Sequence, residues 1–284
     1  MNIIVTGSNG YIGSNFIDAF KDKHIFSKFS LQKNSLKHLH IDNIDTILHC
    51  AALVHQKNKV YDEQYYEINT KYPVELAKKA KECGVKQFVF ISSIAVHSST
   101  LEYVNESSEC FPDTPYGKSK LDAERELEKL NDENFIVSII RPPMVYGKDA
   151  PGNIRTLITL VKKVPVLPFA RIDNNRSFIY IGNLTHFINK IIEKKIAGIF
   201  LVSDDKSIST TYLIELIAKE LNRKIYLVKV PFFERLLKML KPSLYKRLYE
   251  SLEVNNSASK EALKYKNLYS TEDGIKYMIH GEII

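Results

Sequence analysis

The fold is decided by "NIIVTGSNGYIG", residues 2–13. Its first half, Ile3-Ile4-Val5, is a short apolar run of the kind that makes a strand covered on both faces. Its second half sets Gly7, Gly10 and Gly13 at intervals of three, and residues 11–22 carry a helical pattern. Gly7 permits the tight turn, Gly10 lets backbone approach a pyrophosphate, and Gly13 lets the helix pack closely on the sheet. The helix N-terminus offers unpaired N–H groups and the positive end of its dipole to phosphate. Strand, glycine turn and helix in this order predict a dinucleotide-binding turn.

Working outward, apolar runs alternate with helical patterns. "IFSKFSL" (25–31), "DTILHCAA" (45–52), "QFVFISS" (87–93) and "NFIVSII" (134–140) read as strands. A helical pattern runs from about Lys57 to Cys83, and another covers 116–131. This alternation predicts an α/β protein with a Rossmann-type, doubly wound parallel sheet. After "RPPMVYG" (141–147) prolines become frequent and strands shorten, and "GIFLVS" (198–203) reads as a strand returning to the sheet. The expected organisation is a dinucleotide-binding domain over 1–142, to which the chain returns at about 181–202, and a smaller C-terminal substrate lobe over 143–284. The basic amphipathic stretch "FFERLLKMLKPSLYKRLYESL" (232–252) could lie on a membrane surface, but packing onto its own lobe is the simpler reading.

Bulk properties set bounds. With 284 residues and 44% hydrophobic content the chain can bury a sizeable core. No apolar run reaches the ~18 residues of a bilayer span, and the N-terminus does not read as a signal peptide. Cys50, Cys83 and Cys110 are dispersed and form no CxxC pair, which suits a reducing compartment. The expectation is a cytoplasmic protein without stable membrane insertion. The net charge of +7 comes from lysines interleaved with acids, so it reads as a solvated surface rather than a nucleic-acid footprint. It would also attract an acidic ligand such as a diphosphate. His49 and His55 bracket "HCAALVH" without further ligands at metal-binding spacing, so no metal is expected.

In "TPYGKSK" (114–120), Tyr116 and Lys120 stand four apart and share a helix face. A free tyrosine, with a pKa of about 10, exchanges protons poorly at neutral pH, and a nearby ammonium would lower that value. Such a tyrosine could give a proton to a developing alkoxide or take one from an alcohol.

The GxxGxxG spacing, "HCAA" (49–52), Asn69 in "INT", "FVFISSIAV" (88–96), "PYGKSK" and "RPPMVYG" resemble, in order and spacing, the extended short-chain dehydrogenase/reductase superfamily, that is, the NAD-dependent epimerase/dehydratase family. The resemblance covers about 150 residues. It implies an oxidoreductase or epimerase with Ser93, Tyr116 and Lys120 as catalytic set, Ser93 being preferred to Ser92 by its distance from Val96. Lys120 would also grip the nicotinamide ribose. Cofactor contacts are implied for Gly7, Asn9, Gly10, Tyr11, Ile12, Gly13, Ala51, Ala52, Asn69 and Pro143. The family's dehydratases carry an Asp–Glu pair where Ile94 and Ala95 stand, which argues against elimination. His97 departs from the family's pattern; it could line the substrate cleft, though packing is the simpler reading.

The cofactor is NADP(H) or NAD(H). Lys33, with no acid beside it, tilts the choice to NADP(H). Arg176 in "NNRSFIYIGN" resembles a residue that grips nucleotide phosphates, and Asn153 sits at a helix start suited to a diphosphate. His55 and Ser93 complete the implied substrate set. Together these segments most resemble enzymes that reduce UDP-4-keto-6-deoxy-N-acetylhexosamines to fucosamine- or quinovosamine-type sugars for surface polysaccharide. The alternatives are a UDP-hexose 4-epimerase with bound NAD and a non-catalytic dinucleotide-sensing regulator. A nucleotide sugar is the implied partner, and a homodimer is a family expectation.

Overall fold

A computed structural model describes residues 1–29, 41–54 and 61–281. The first half of the chain contains β1 (Asn2–Thr6), α1 (Tyr11–Phe20), β2 (Ile25–Phe29), β3 (Thr46–His49), α2 (Asp62–Tyr66), α3 (Tyr72–Glu82), β4 (Gln87–Ile91), β5 (Tyr103–Val104), α4 (Pro115–Glu128) and β6 (Ile136–Arg141). There follow β7 (Met144–Tyr146), α5 (Asn153–Lys163), β8 (Val166–Leu167), β9 (Phe178–Tyr180), α6 (Ile181–Lys194) and β10 (Gly198–Leu201). The chain ends with α7 (Thr210–Glu220), β11 (Tyr226–Leu227), α8 (Phe233–Leu240), α9 (Pro242–Tyr249), β12 (Glu253–Val254), α10 (Ser257–Leu263) and α11 (Thr271–His280).

Six strands form one parallel sheet in the order β10-β6-β4-β3-β1-β2. Side chains alternate across it, so each strand feeds two cores. Ile3, Val5, Leu48, Val89 and Ile140 join Phe16 and Phe20 of α1 and Leu184, Phe187 and Ile191 of α6. Ile4, Ile47, Phe88, Phe90 and Ile139 face Leu76 and Ala77 of α3 and Ala123 and Leu127 of α4. Each fully buried side chain of this size contributes roughly 1.5–3 kcal/mol, and burial on both faces accounts for the continuous apolar strands read in the sequence.

The chain leaves β1 for β2 at one edge, then crosses to β3 on the other side of β1. The carboxyl ends of β1 and β3 therefore flank the topological switch point, where open α/β sheets bind ligands. Among the described residues β2 alone lies beyond β1. β10 closes the opposite edge, and α6 packs beside α1.

Outside the sheet, short parallel pairs β7·β9, β8·β11 and β5·β12 build the remainder. The long helical pattern divides: α2 and α3 are joined by a π-helical turn, Glu67–Lys71. The amphipathic stretch folds as two short helices, α8 and α9, neither with a fully buried residue. Phe233 does pack inward, against Phe169 at 6.1 Å between ring centroids. The opposite side of α8 stays exposed, so packing onto the lobe describes only one of its faces. Among the described residues no helix is long and apolar enough to cross a membrane.

Candidate active site

Gly7 ends β1 with φ +67, a left-handed conformation natural to glycine, and a Cβ there would stand 2.7 Å from the backbone N of Ala51. Gly10 precedes α1 without any side-chain cap, so the first N–H groups of the helix have no side-chain acceptor. Gly13 is buried in the first turn. A cleft of about 550 Å³ lies over this turn, lined by Gly7, Asn9, Gly10, Ala51 and Ala52 together with Cys50. Room for a dinucleotide at an uncapped helix N-terminus is the arrangement that phosphate binding requires.

The other expected cofactor residues are placed differently. Tyr11 turns its hydroxyl into the protein, where it is buried without a hydrogen-bond partner and would meet a Cβ on Gly147 at 2.7 Å. Ile12 is the second residue of α1 and is partly buried against the core. Asn69 spends its amide on structure. Its Oδ1 accepts from Leu53 N at 2.7 Å, and its Nδ2 donates to Leu53 O at 2.9 Å and Ser119 Oγ at 3.1 Å. It thus fixes the segment after β3 rather than offering polar atoms to the cleft. Pro143 is buried. Lys33 and His55 lie outside the described residues.

Two serines end β4, and their environments separate them. Ser92 is buried, and its hydroxyl donates to Glu124 of α4. Ser93 is half-buried, caps a 3-10 turn by accepting from Ala95 N at 3.1 Å, and shares a hydrogen bond with Tyr116. That meeting depends on a close approach: a Cβ on Gly117 would lie 2.1 Å from the carbonyl oxygen of Ala95. The Tyr65 ring meets the Tyr116 ring edge-on, with centroids 6.5 Å apart. Tyr65 escaped the sequence reading because it lies in α2, fifty residues upstream, as one aromatic among several ("YDEQYY") with no motif spacing.

The electrostatics correct one expectation. Burial pushes the Tyr116 pKa up, the hydrogen bond with Ser93 opposes this, and Tyr65 adds to the rise. Lys120 does not act as a fixed cation on it. Lys120 is fully buried, stands 3.9 Å over the Phe90 ring, and its Nζ has no hydrogen-bond partner among the described residues. Burial lowers its pKa to about 7, with Glu124 and Cys50 acting the other way. His49, stacked on Phe88 and Phe90, is also fully buried, and its pKa falls to about 3 through burial and then the nearby Lys120. A buried lysine nitrogen without an acceptor among the described residues is a donor group awaiting acceptors, and ribose hydroxyls are acceptors of that kind. The residues present fit a nicotinamide dinucleotide.

Beyond Ser93 a second cleft, of about 210 Å³, is lined by Ile94, Ala95, Thr114, Arg176, Lys246 and Arg247 among others. Ile94 and Ala95 offer no acid or base at its inner end. Arg176 Nη1 donates to Glu250 O at 2.8 Å and Lys246 O at 3.3 Å, so it also holds the end of α9. Sequence reasoning missed Lys246 and Arg247, because their basic stretch reads as a helix face until the fold carries it to the catalytic strand. Asn153 is exposed at the start of α5, where Gly152 is the cap, and it lines neither cleft. His97 is buried: Nδ1 donates to Glu109 O at 3.0 Å, which leaves Nε2 to accept from Arg141 at 3.3 Å. Among the described residues no cluster of His, Cys, Asp or Glu could hold a metal ion.

Comparison with known proteins agrees with this geometry. The profile of the NAD dependent epimerase/dehydratase family matches residues 3–202. A UDP-glucose 4-epimerase from Vibrio cholerae is 33% identical over 97% of the chain and 93% of its own length. Among solved structures, a UDP-glucuronic acid 4-epimerase from Bacillus cereus in complex with NAD superposes with a TM-score of 0.80 at 19% identity, covering 99% of this chain and 98% of that one. A dTDP-4-dehydrorhamnose reductase from Clostridium acetobutylicum gives 0.78 at 22%, covering 98% of each chain.

Proposed function

The chain belongs to the NAD dependent epimerase/dehydratase family and is an NAD(P)-dependent enzyme, and from that premise we propose that it exchanges a hydride at C4 of a nucleotide-linked hexose, with 4-epimerisation as its net reaction. The observation that carries this reading is the Ser93–Tyr116 hydrogen bond, next in the chain to Ile94 and Ala95 of the cleft that Arg176, Lys246 and Arg247 line, in a protein with a second cleft at its glycine turn. The cations suit a diphosphate and would hold the sugar beside Ser93. The full-length likeness to a curated UDP-glucose 4-epimerase supports epimerisation.

In this reading a nicotinamide dinucleotide held at the Gly7–Gly13 turn would supply the hydride acceptor and donor. Ser93 orients the sugar oxygen. Tyr116 removes the hydroxyl proton as the ketone forms and restores it on return. Lys120 would hold the cofactor's ribose, and in its charged form it would ease proton loss from Tyr116. The second reading is net reduction of a UDP-4-keto-6-deoxy-N-acetylhexosamine. It is favoured by "HCAALVH", "RPPMVYG" and "NRSFIYIGN" and by the structural likeness to a 4-dehydro-sugar reductase.

The test is product analysis by NMR in two incubations. One contains UDP-glucose or UDP-GlcNAc without reductant, the other UDP-4-keto-6-deoxy-GlcNAc with NADPH. Epimerisation without net cofactor consumption supports the first reading, and stoichiometric NADPH oxidation the second. Tyr116→Phe should lower kcat by about 10²–10⁴-fold and leave cofactor binding intact. Tight cofactor binding with no turnover of either substrate would instead indicate a dinucleotide-sensing regulator.

A further inference from the structure

Helix α8 leaves part of a wide apolar stripe in solvent. Phe233 and Leu237 are half-buried toward the lobe, whereas Leu236, Met239 and Leu240 beside them, and Phe232 just before the helix, are 50%, 72%, 64% and 81% exposed. A soluble helix ordinarily turns charge outward at such positions. Phe232 is also held at φ +61, a left-handed conformation costly for a bulky aromatic residue, and it is among the most exposed large apolar side chains described.

The charge around this face is one-sided. Residues 222–241 hold the cations Arg223, Lys224, Lys229, Arg235, Lys238 and Lys241 against a single acid, Glu234, and all of them are exposed. A self-complementary dimer face would need acids opposite these cations, and the stretch supplies one. Bulky apolar groups in a ring of lysine and arginine match the interface of an anionic bilayer, where acyl chains take the apolar groups and headgroup phosphates the cations.

We infer that the α8 face docks the protein peripherally on an anionic membrane surface. The helix lies in the interfacial plane and does not span. The following helix, α9, carries the cleft-lining Lys246 and Arg247, so docking sets the entrance of that cleft beside the headgroups. This inference rests on the lobe surface and not on the reaction proposed above.

The test is vesicle co-sedimentation of the full chain. Wild type should bind vesicles of phosphatidylcholine with about one-third phosphatidylglycerol at least tenfold more tightly than pure phosphatidylcholine, and added salt should weaken that binding. The double variant Phe232→Ser/Met239→Ser should lose binding at least tenfold, as should Lys229→Glu/Lys238→Glu, with NAD binding and thermal unfolding unchanged to show that both remain folded. Three results would overturn the inference: no wild-type binding to the anionic vesicles, variants that bind as wild type does, or a wild-type dimer that F232S/M239S converts to monomer with vesicle binding unaltered.

Discussion

At the scale of single residues, two buried bases make stability depend on pH. Lys120 has a folded pKa of about 7 against an ordinary 10.5. Between those values the unfolded chain binds the extra proton, so the cofactor-free protein gains stability as pH rises through this window and loses it as pH falls through about 7. His49 acts likewise lower down, from an ordinary 6.5 to about 3, and its contribution fades as pH falls through that range. Lys120→Met removes the upper dependence. Urea unfolding of the cofactor-free variant should show a stability gain over wild type that is largest near pH 7 and absent above pH 10.5. An unchanged slope between those pH values would mean that Lys120 is not buried as described. The Tyr116–Lys120 spacing was legible in "PYGKSK", but the charge state was not. It depends on Phe90 beneath the ammonium and on the absence of any acceptor, which only the packed structure reveals.

At the scale of elements, helix α4, which carries Tyr116, is locked to the sheet by a polar network. Glu124 of α4 accepts from Arg141 of β6 through Nη2 at 2.6 Å and Nε at 3.1 Å, and also from Ser92 of β4. Arg141 continues to His97. Both charged side chains are at most 5% exposed. Losing one partner strands the other charge in the interior, at a cost of about 3–5 kcal/mol. Glu124→Ala should therefore lower unfolding free energy by that amount, and the double variant Glu124→Leu/Arg141→Met should be markedly less destabilised. Equal losses in denaturant titrations of the two proteins would sink the ion-pair account. Little of this network could be read beforehand. Glu124 and Arg141 look like ordinary helix-surface and strand-end charges, and His97 showed only as a departure from a pattern. Its partner is forty-four positions away, and periodicity carries no information about such pairs. The central sheet strands, by contrast, were legible because burial on both faces makes them continuously apolar. The helical pattern read from about Lys57 to Cys83 is helical over its described residues 62–82, with a π-turn at Glu67–Lys71 that the pattern did not show.

At the scale of the molecule, the sheet and the smaller lobe meet at Asp204, just beyond β10. Its carboxylate accepts from Tyr146 Oη at 2.7 Å, Asn183 Nδ2 at 2.8 Å and Tyr180 N at 3.1 Å. These donors come from β7, α6 and β9, so one buried side chain sets the relation between the sheet edge and the pair of strands that opens the lobe. Asn183 extends the junction to the C-terminal segment, with Nδ2 donating to Tyr269 O at 2.9 Å. Burial raises the Asp204 pKa, while Asn183 and Tyr146 act against that rise. Removing the carboxylate takes an acceptor from three buried donors, of which Tyr146 keeps Thr271 O at 3.3 Å and Asn183 keeps Tyr269 O. Asp204→Ala should cost on the order of 3 kcal/mol or more in unfolding free energy. Because Arg176 sits only two residues before β9, the same variant should raise KM for the nucleotide sugar more than it lowers kcat. On the proposed function, a cleft displaced from Ser93 and Tyr116 weakens substrate capture while that pair, held at the end of β4 and by α4, stays in place. Loss of kcat with an unchanged KM would show that the junction does not carry the substrate cleft.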